Sequence, residues 1–503
     1  MPLARSWSIA LLGLEGRSVE IEADIGAGMP GTKLVGLPDP GLREAKDRVR
    51  AAVRNSRCAW PDTNVTLGLS PASLPKVGSS YDLGIAVAVL AASGVVPAGE
   101  LPGTVLLGEL ALDGRLRPIP GVLPALLAAR RLGHRRAVVP TECLAEAALV
   151  DGIAVLGAAV LSDVLGWLRG ESELVRPEAV EVGDSQHVPD LVDVVGQPEA
   201  RWALEVAAAG GHHLLLTGPP GIGKTMLATR LPGLLPPLSR SEALEVAAVR
   251  SVDGSLSRSA PLDLVPPFVA PHHSISAAAL VGGGAGLAAP GAVSKAHRGV
   301  LFLDEAPEFG PERLEALRTV LEEGEIRIAR AKGVVRYPAS FQLVMAGNPC
   351  PCAPPRETDC TCSPSARRRY AARLSGPLLD RVDLRVRLRP VTAMRAHADR
   401  DRESTEVVRR RVVAARSRAV ERWSEHGWST NAVVPGPVLW REFALPRQVT
   451  DLVERSLRRG AITARGADRC LRVAWTLADL DGAEHPDGDH VASALGFRER
   501  SAA

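Results

Sequence analysis

The chain has 503 residues, 46% hydrophobic and 23% charged, with a formal net charge of +3 at pH 7. That length allows two to four domains, and that composition excludes a disordered or fibrous chain. A charge so near zero leaves nucleic-acid binding to clustered patches, not to bulk charge. Six lysines stand against 54 arginines, a bias that genome composition alone can produce. The apolar run from Trp7 to Leu14 passes at once into Val19-Glu20-Ile21-Glu22-Ala23-Asp24-Ile25 with no cleavage site. It therefore predicts strands, not a signal peptide. The run Leu83 to Val96 contains Gly84 and Gly94 and is too short to span a bilayer, so no membrane partner is expected. Seven cysteines, four of them clustered, predict a reduced, cytoplasmic protein with one special site, not a disulfide framework.

Residues 1–170 carry an α+β pattern. Val65 to Leu69 predicts a strand, and Val105 to Arg117 a hairpin turning at Asp113-Gly114. Leu123 to Leu132 predicts an apolar helix, and Ala137 to Val139 a strand. Gly28-Met29-Pro30-Gly31, Val35-Gly36-Leu37-Pro38-Asp39, Leu69-Ser70-Pro71-Ala72 and Pro75-Lys76-Val77-Gly78 resemble one family's amino-terminal domain. The family is ComM (YifB), of the magnesium-chelatase-like AAA+ ATPases. That domain is similar to the proteolytic domain of Lon, which implies a ribosomal-protein-like fold. In Lon, the serine of a P-K-D-G-P-S turn pairs with a lysine further along the chain. Here Ser80 stands near the serine position, but no lysine occurs between Lys76 and Lys224. Without such a base the hydroxyl is a weak nucleophile, so a scaffold or binding surface is expected and not a protease. Residues 171–190, polar and holding Pro177 and Gly183, predict a linker.

Residues 191–391 predict an α/β nucleotide-binding core. Val195-Gly196-Gln197 resembles the segment that packs near adenine in many AAA+ modules. Leu214-Leu215-Leu216 predicts a buried strand that breaks into Gly218, Pro219, Pro220, Gly221, Ile222 and Gly223, then enters a helix at Lys224-Thr225. This is the G-x-x-x-x-G-K-[ST] phosphate loop, whose backbone N–H groups cradle the phosphates of ATP. Lys224 would reach the β- and γ-phosphates and Thr225 would ligate Mg2+. Val300 to Leu303 predicts a central strand ending in Asp304, for Mg2+, and Glu305, to polarise the attacking water. Phe341 to Asn348 predicts another, ending where the sensor-1 asparagine of these ATPases sits.

Between those strands lies Ala270-Pro271-His272-His273-Ser274-Ile275-Ser276, then Gly282-Gly283-Gly284 and Ala296-His297-Arg298-Gly299. This insert closely matches the ComM family. The adjacent histidines are expected to hold a loop conformation or touch substrate in preference to binding a metal. Glu325 to Arg330, with a turn at Lys332-Gly333, resembles the hairpin before sensor 1 in the chelatase and replicative-helicase branch. In a ring such hairpins point into the pore, which makes Arg327, Arg330 and Lys332 candidate DNA phosphate contacts, with a solvated cationic turn as the alternative.

Cys350-Pro351-Cys352 and Cys360-Thr361-Cys362 begin two residues after Asn348. Four thiolates at this spacing suit one tetrahedral structural Zn2+, with a redox disulfide pair or plain loop cysteines as alternatives. Leu374 to Asp383 resembles the arginine-finger motif, Arg381 being the finger, against the alternative of a surface pair with Asp383. Residues 392–503 predict a helical lid in which Arg409 to Arg411 and Arg416 to Arg422 are expected on solvated faces. Within Thr463 to Leu480, Arg465 is the expected sensor-2 residue, with Arg469 and Arg472 as competitors.

The resemblance spans nearly the whole chain. It implies a homohexameric ATP-driven motor that acts on single-stranded or branched DNA and promotes branch migration of recombination intermediates in natural transformation. The alternatives are a magnesium-chelatase-like motor subunit and an ATP-dependent factor that remodels a protein partner.

Overall fold

The computed structural model describes the chain except residues 1–2, 37–39, 77, 179–187, 285–287, 331–332, 355–358, 375, 391–401 and 500–503. The amino-terminal half is built on a seven-stranded mixed sheet. Its order is Gly31–Val35, Asn64–Ser70, Glu15–Gly26, Leu3–Leu12, Thr104–Leu106, Arg136–Pro140 and Ala154–Ala158. Leu3–Leu12 and Glu15–Gly26 pair antiparallel, and alternation along the second buries Val19, Ile21 and Ala23 on one face. The run from Leu83 becomes the helix Asp82–Ala92, buried on nearly every side. A helix enclosed all round needs no polar stripe, which explains its unbroken apolarity.

The expected hairpin is shorter than predicted. Only Glu109–Leu110 and Leu116–Arg117 pair around Asp113-Gly114. Thr104–Leu106 instead joins the large sheet, parallel to Leu3–Leu12 and Arg136–Pro140. All three of its residues are buried, as a central parallel strand requires. Of the expected linker, Leu174 is buried and Val175 bridges Gly157. That part still packs on the amino-terminal sheet.

The second half holds a five-stranded sheet, parallel throughout. Its order is Phe268–Val269, Val300–Leu303, Gln342–Gly347, Leu214–Thr217 and Leu384–Arg387. All parallel neighbours place their carboxyl ends on one edge, so the three predicted strand ends come together there. The two halves are joined through the helix Arg240–Asp253. Its Ala243, Val246 and Ala247 share one apolar cluster with Leu123 and Leu126 of the helix Val122–Arg131. Glu146 ties the joint by accepting from the Leu123 amide at 2.7 Å and from the Ser251 hydroxyl.

The carboxy-terminal helices include Thr405–Arg422, Arg447–Arg458, Ala464–Asp481 and Gly488–Glu499. The expectation of solvated arginines on the first of these fails along its inner face. Arg411 donates to both Glu205 and Glu403, and Arg416 donates to the Ala208 carbonyl at 2.9 Å. Arg422 lies 4.3 Å over the Trp475 ring and pairs with Asp479. This helix packs between the helix Pro198–Gly210 of the core and the helix Ala464–Asp481, so its long guanidinium stems pin both. Arg409 and Arg410 face outward and pair with Glu406 on their own helix.

Candidate nucleotide-binding site

The loop after Leu214–Thr217 turns twice through left-handed backbone, at Gly221 (φ 72°) and Gly223 (φ 97°). A Cβ at Gly223 would meet the Met226 methyl at 3.0 Å, and at Gly218 the Leu388 carbonyl at 3.1 Å. Glycine is therefore favoured at 221 and 223 by conformation and at 218 by the close backbone carbonyl. Lys224 opens the next helix and lies folded over the loop. Its ammonium donates to the carbonyls of Gly218 and Pro219 at 2.8 Å each, and to Asn348 Oδ1 at 3.0 Å. Burial lowers its pKa from the ordinary lysine value, against the pull of Asp304 and Glu305.

Thr225 Oγ1 donates to Asp304 Oδ2 at 2.7 Å, and the other Asp304 oxygen accepts from the Glu305 amide at 2.9 Å. Glu305 itself adopts left-handed backbone (φ 51°), unusual for a residue with a side chain. Lys224, Thr225, Asp304, Glu305 and Asn348 thus meet at the carboxyl edge of three adjacent strands. Such a set of donors, one hydroxyl and two carboxylates fits a nucleoside triphosphate with Mg2+. Gln197, whose side chain donates to the Arg389 carbonyl at 3.0 Å, anchors the expected adenine-side segment.

Arg381 and Arg465 lie elsewhere. Arg381 precedes Leu384–Arg387, which runs parallel to Leu214–Thr217, so it sits at the opposite end of the sheet from the phosphate loop. A four-residue strand spans roughly 13 Å, so neither arginine reaches this chain's own phosphates. Both line a cavity of about 90 Å3 with His213, Leu321, Glu322 and Arg469. Arg381 is buried and pairs with Glu322, so it is no surface partner of Asp383. Its Nε is enclosed without a hydrogen bond. Burial, then Arg318, Arg465 and Arg469, lower its pKa. The competitors are committed elsewhere: Arg469 donates to Asp383 at 2.5 Å and Arg472 to the Val434 carbonyl at 2.7 Å.

The four cysteines converge. Sγ–Sγ distances are 3.4 Å from Cys350 to Cys352, 3.6 Å from Cys352 to Cys360 and 3.5 Å from Cys360 to Cys350. With Cys362 all four lie within 4.8 Å of one another, an arrangement that can bind a metal. The hairpin is present as Glu325–Arg330 paired with Gly333–Pro338. Arg327 is not a free cation, since it pairs with Glu325 at 2.5 Å; Lys332 falls outside the described residues.

Ser80 lines a cavity of about 340 Å3 between the two halves, beside Tyr81, Ile119 and Tyr337. The preceding lysine, Lys76, is buried and spends its ammonium on the carbonyls of Gly36, Leu69 and Pro71. Sequence reasoning passed over Glu322, the partner of Arg381. No pattern marks a glutamate as the partner of an arginine 59 residues away.

Strand ends of this kind make the chain a P-loop protein of the AAA+ class. Profiles agree: "Magnesium chelatase, subunit ChlI" matches residues 190–396, "Subunit ChlI of Mg-chelatase" 21–143, and the ChlI C-terminal profile 402–498. The chain belongs to the ComM/YifB family of magnesium-chelatase-like proteins. It is 41% identical to competence protein ComM of Haemophilus influenzae, covering 99% of this chain and 98% of that one. Identity to YifB of Escherichia coli is also 41%, over 97% and 96% of the two chains. An uncharacterized Mycobacterium tuberculosis protein, Rv2897c, is 57% identical over the full length of both. A stretch covering 31% of the chain is 32% identical to 27% of Lon protease 2 of Bacillus subtilis, the expected Lon likeness. Among the described residues no helix is long and apolar enough to cross a membrane.

Proposed function

We propose that the chain hydrolyses ATP within a ring of like subunits and uses the cycle to move DNA strands at branched intermediates. The observation that carries ATP turnover is the meeting of Lys224, Thr225, Asp304, Glu305 and Asn348 at one sheet edge. Thr225 and Asp304 would hold Mg2+, which supplies charge neutralisation on the β- and γ-phosphates. Glu305 orients the attacking water, Asn348 positions it, and Lys224 leaves the loop carbonyls for the phosphates.

The ring reading is supported by the far end of the sheet. A cavity where Arg381 and Arg465 face the single carboxylate Glu322 suits an incoming anion. A neighbour's γ-phosphate is such an anion, and a ring supplies it once per interface. The DNA reading rests on the two-stranded projection at residues 325–338 and on the naming of a full-length relative as a competence protein. The gathering of four of the seven cysteines where one metal could bind supports a reducing cytoplasm as the location. The test is steady-state ATP turnover without DNA and with single strands, duplex, forks and four-way junctions. Turnover stimulated most by branched DNA is expected. Turnover indifferent to every DNA would favour a protein-remodelling motor.

The cysteine knuckle is read as a structural zinc site. Sulfurs held tetrahedrally at about 2.3 Å from Zn2+ lie roughly 3.8 Å apart, close to the observed separations. The knuckle leads from Asn348 into the helix Pro364–Ala371, after which Arg373 pairs with Glu308 at 2.7 Å, three residues beyond Glu305. A metal clamp would stiffen this route between the phosphate site and Arg381. Elemental analysis of protein purified without added metal or chelator should find about one zinc per chain, lost in the Cys360→Ser, Cys362→Ser double variant. Fresh reduced protein with far less than stoichiometric metal would end the reading.

A further inference from the structure

The helix Pro364–Ala371, which follows the cysteine knuckle, carries Arg367, Arg368 and Arg369 in succession, all exposed. Among the described residues none of the three has an ion-pair partner. Elsewhere the chain sets a carboxylate three or four positions before an exposed arginine. Arg409 and Arg410 take Glu406, Arg318 takes Glu315, and Arg455 takes Asp451. Here the positions three and four residues to either side hold only serine, proline, alanine, tyrosine and arginine. Like charges at such close spacing repel, and nothing within the helix offsets them.

The helix is held at both ends. Ser363 caps it, its hydroxyl accepting from the Ala366 amide at 3.2 Å. At the other end Tyr370 is buried, and Arg373 lies 5.4 Å over its ring while pairing with Glu308 at 2.7 Å. Tyr370 is the helix's sole aromatic and is turned inward, so the outer surface offers cations and no apolar anchor. A protein partner is usually gripped through such an anchor at the centre of the interface. A polyanion needs none. Successive positions turn by about 100°, so the three guanidinium forks fan over about 200° of the helix and can meet different phosphates of one continuous strand.

We infer that this helix is a contact surface for the phosphate backbone of nucleic acid, separate from the hairpin at residues 325–338. The hairpin leads into the amino end of the strand Gln342–Gly347, whereas the knuckle and the helix follow its carboxyl end. A six-residue strand spans roughly 20 Å, so the two cationic segments leave it at well-separated points. The Arg373–Glu308 pair ties the helix near the strand end that bears Asp304 and Glu305, so a nucleic acid held here lies close to the proposed site of ATP turnover. Contacts of this kind hold a strand in place without reading its sequence. The inference rests on DNA being the partner in the proposed function, and the experiment separates the two claims.

The experiment follows binding of the full chain to a labelled single strand and to a forked duplex by fluorescence anisotropy, from about 50 to 200 mM salt. Arg367→Gln, Arg368→Gln and Arg369→Gln combined should lower the slope of log affinity against log salt by roughly three, alike for unrelated sequences. Each change alone should lower it by about one. Arg367→Lys, Arg368→Lys and Arg369→Lys combined should keep most of the slope, because the number of neutralised phosphates sets it. DNA-free ATP turnover should equal the wild type's in both triple variants. A slope that the glutamine changes leave unaltered, while the wild type binds DNA, overturns this surface and leaves the DNA reading standing. A wild type that binds neither DNA overturns both. DNA-free turnover lost in the glutamine variant and kept in the lysine variant would assign the arginines to the nucleotide site and overturn the surface as well.

Discussion

At the residue scale, Asp383 shows how closely the lid is bound to the core. The carboxylate is fully buried, receives Arg469 at 2.5 Å and the His213 amide at 3.2 Å, and has His212 Nδ1 at 3.4 Å. Burial works to raise its pKa, but Arg469, His212 and His213 outweigh that and hold it well below the ordinary carboxylate range. Asp383→Asn should cost roughly 3–5 kcal/mol in denaturant unfolding, because it leaves Arg469 buried without its counter-charge. His213 adds an acid limit. Its Nδ1 accepts from the Leu343 amide at 3.1 Å, and burial lowers its pKa to about 4. An unfolded chain protonates this histidine first, so its share of stability is complete above pH 6.5 and is lost as pH falls toward 4. The ring edge reaches the cavity beside Arg381. That softens the penalty, so the loss is at most about 3 kcal/mol. Urea titrations at pH 7, 5.5 and 4.5 should show the midpoint falling between the first and the last; a flat series would contradict it.

The same scale shows where sequence reasoning stops. Gly218, Asp304 and Asn348 were legible because each follows directly on an apolar strand, and Lys224 because it closes the glycine loop that leaves one; a parallel sheet brings those strand ends together. Arg465, Arg469 and Arg472 stand at intervals of four and three on one helix face, so periodicity could not choose among them. Only the packed lid shows that Arg469 is spent on Asp383 while Arg465 faces the cavity with Arg381.

At the scale of elements, buried strands and helices were read from apolar runs with few errors, and the errors share a cause. Thr104–Leu106 was assigned to a hairpin because local turn chemistry at Asp113-Gly114 was visible and its distant partners were not. The arginines of Thr405–Arg422 were assigned to water because charge usually marks an exposed face, whereas Glu205, Asp479 and the Ala208 carbonyl stand ready to receive them. The hairpin at residues 325–338 was correctly located, and of its three candidate cations Arg327 is the one whose partner the described residues show. Arg327 already has Glu325 as a counter-ion. If DNA lies on the hairpin, Arg330→Ala with Lys332→Ala should reduce the slope of log affinity against log salt by roughly two, and Arg327→Ala by less than one. Equal effects from all three would contradict this ranking.

For the whole molecule, the amino-terminal half is fastened to the helix Arg240–Asp253 of the second half by the cluster around Leu123, Leu126, Ala243 and Val246. Nothing in the sequence joined residues 122–131 to residues 240–253, since two separate helices show no pattern that says which partner each buries. The fastening places the Ser80 cavity against the insert, which suits a scaffold. More consequential is the separation within one chain. Lys224 and Glu305 stand at one end of the five-stranded sheet, and Arg381 and Arg465 at the other. In the proposed ring, a complete site would therefore draw on two subunits. The most direct measurement mixes Arg381→Ala subunits with Lys224→Ala subunits and follows ATP turnover against the mixing ratio. Each variant alone should be slower than wild type by roughly 1,000-fold or more. Mixtures should regain activity and peak near equal amounts, because an intact Lys224 then meets an intact Arg381 across one interface in four. Mixtures no faster than their components, in subunits shown to co-assemble, would contradict the shared site.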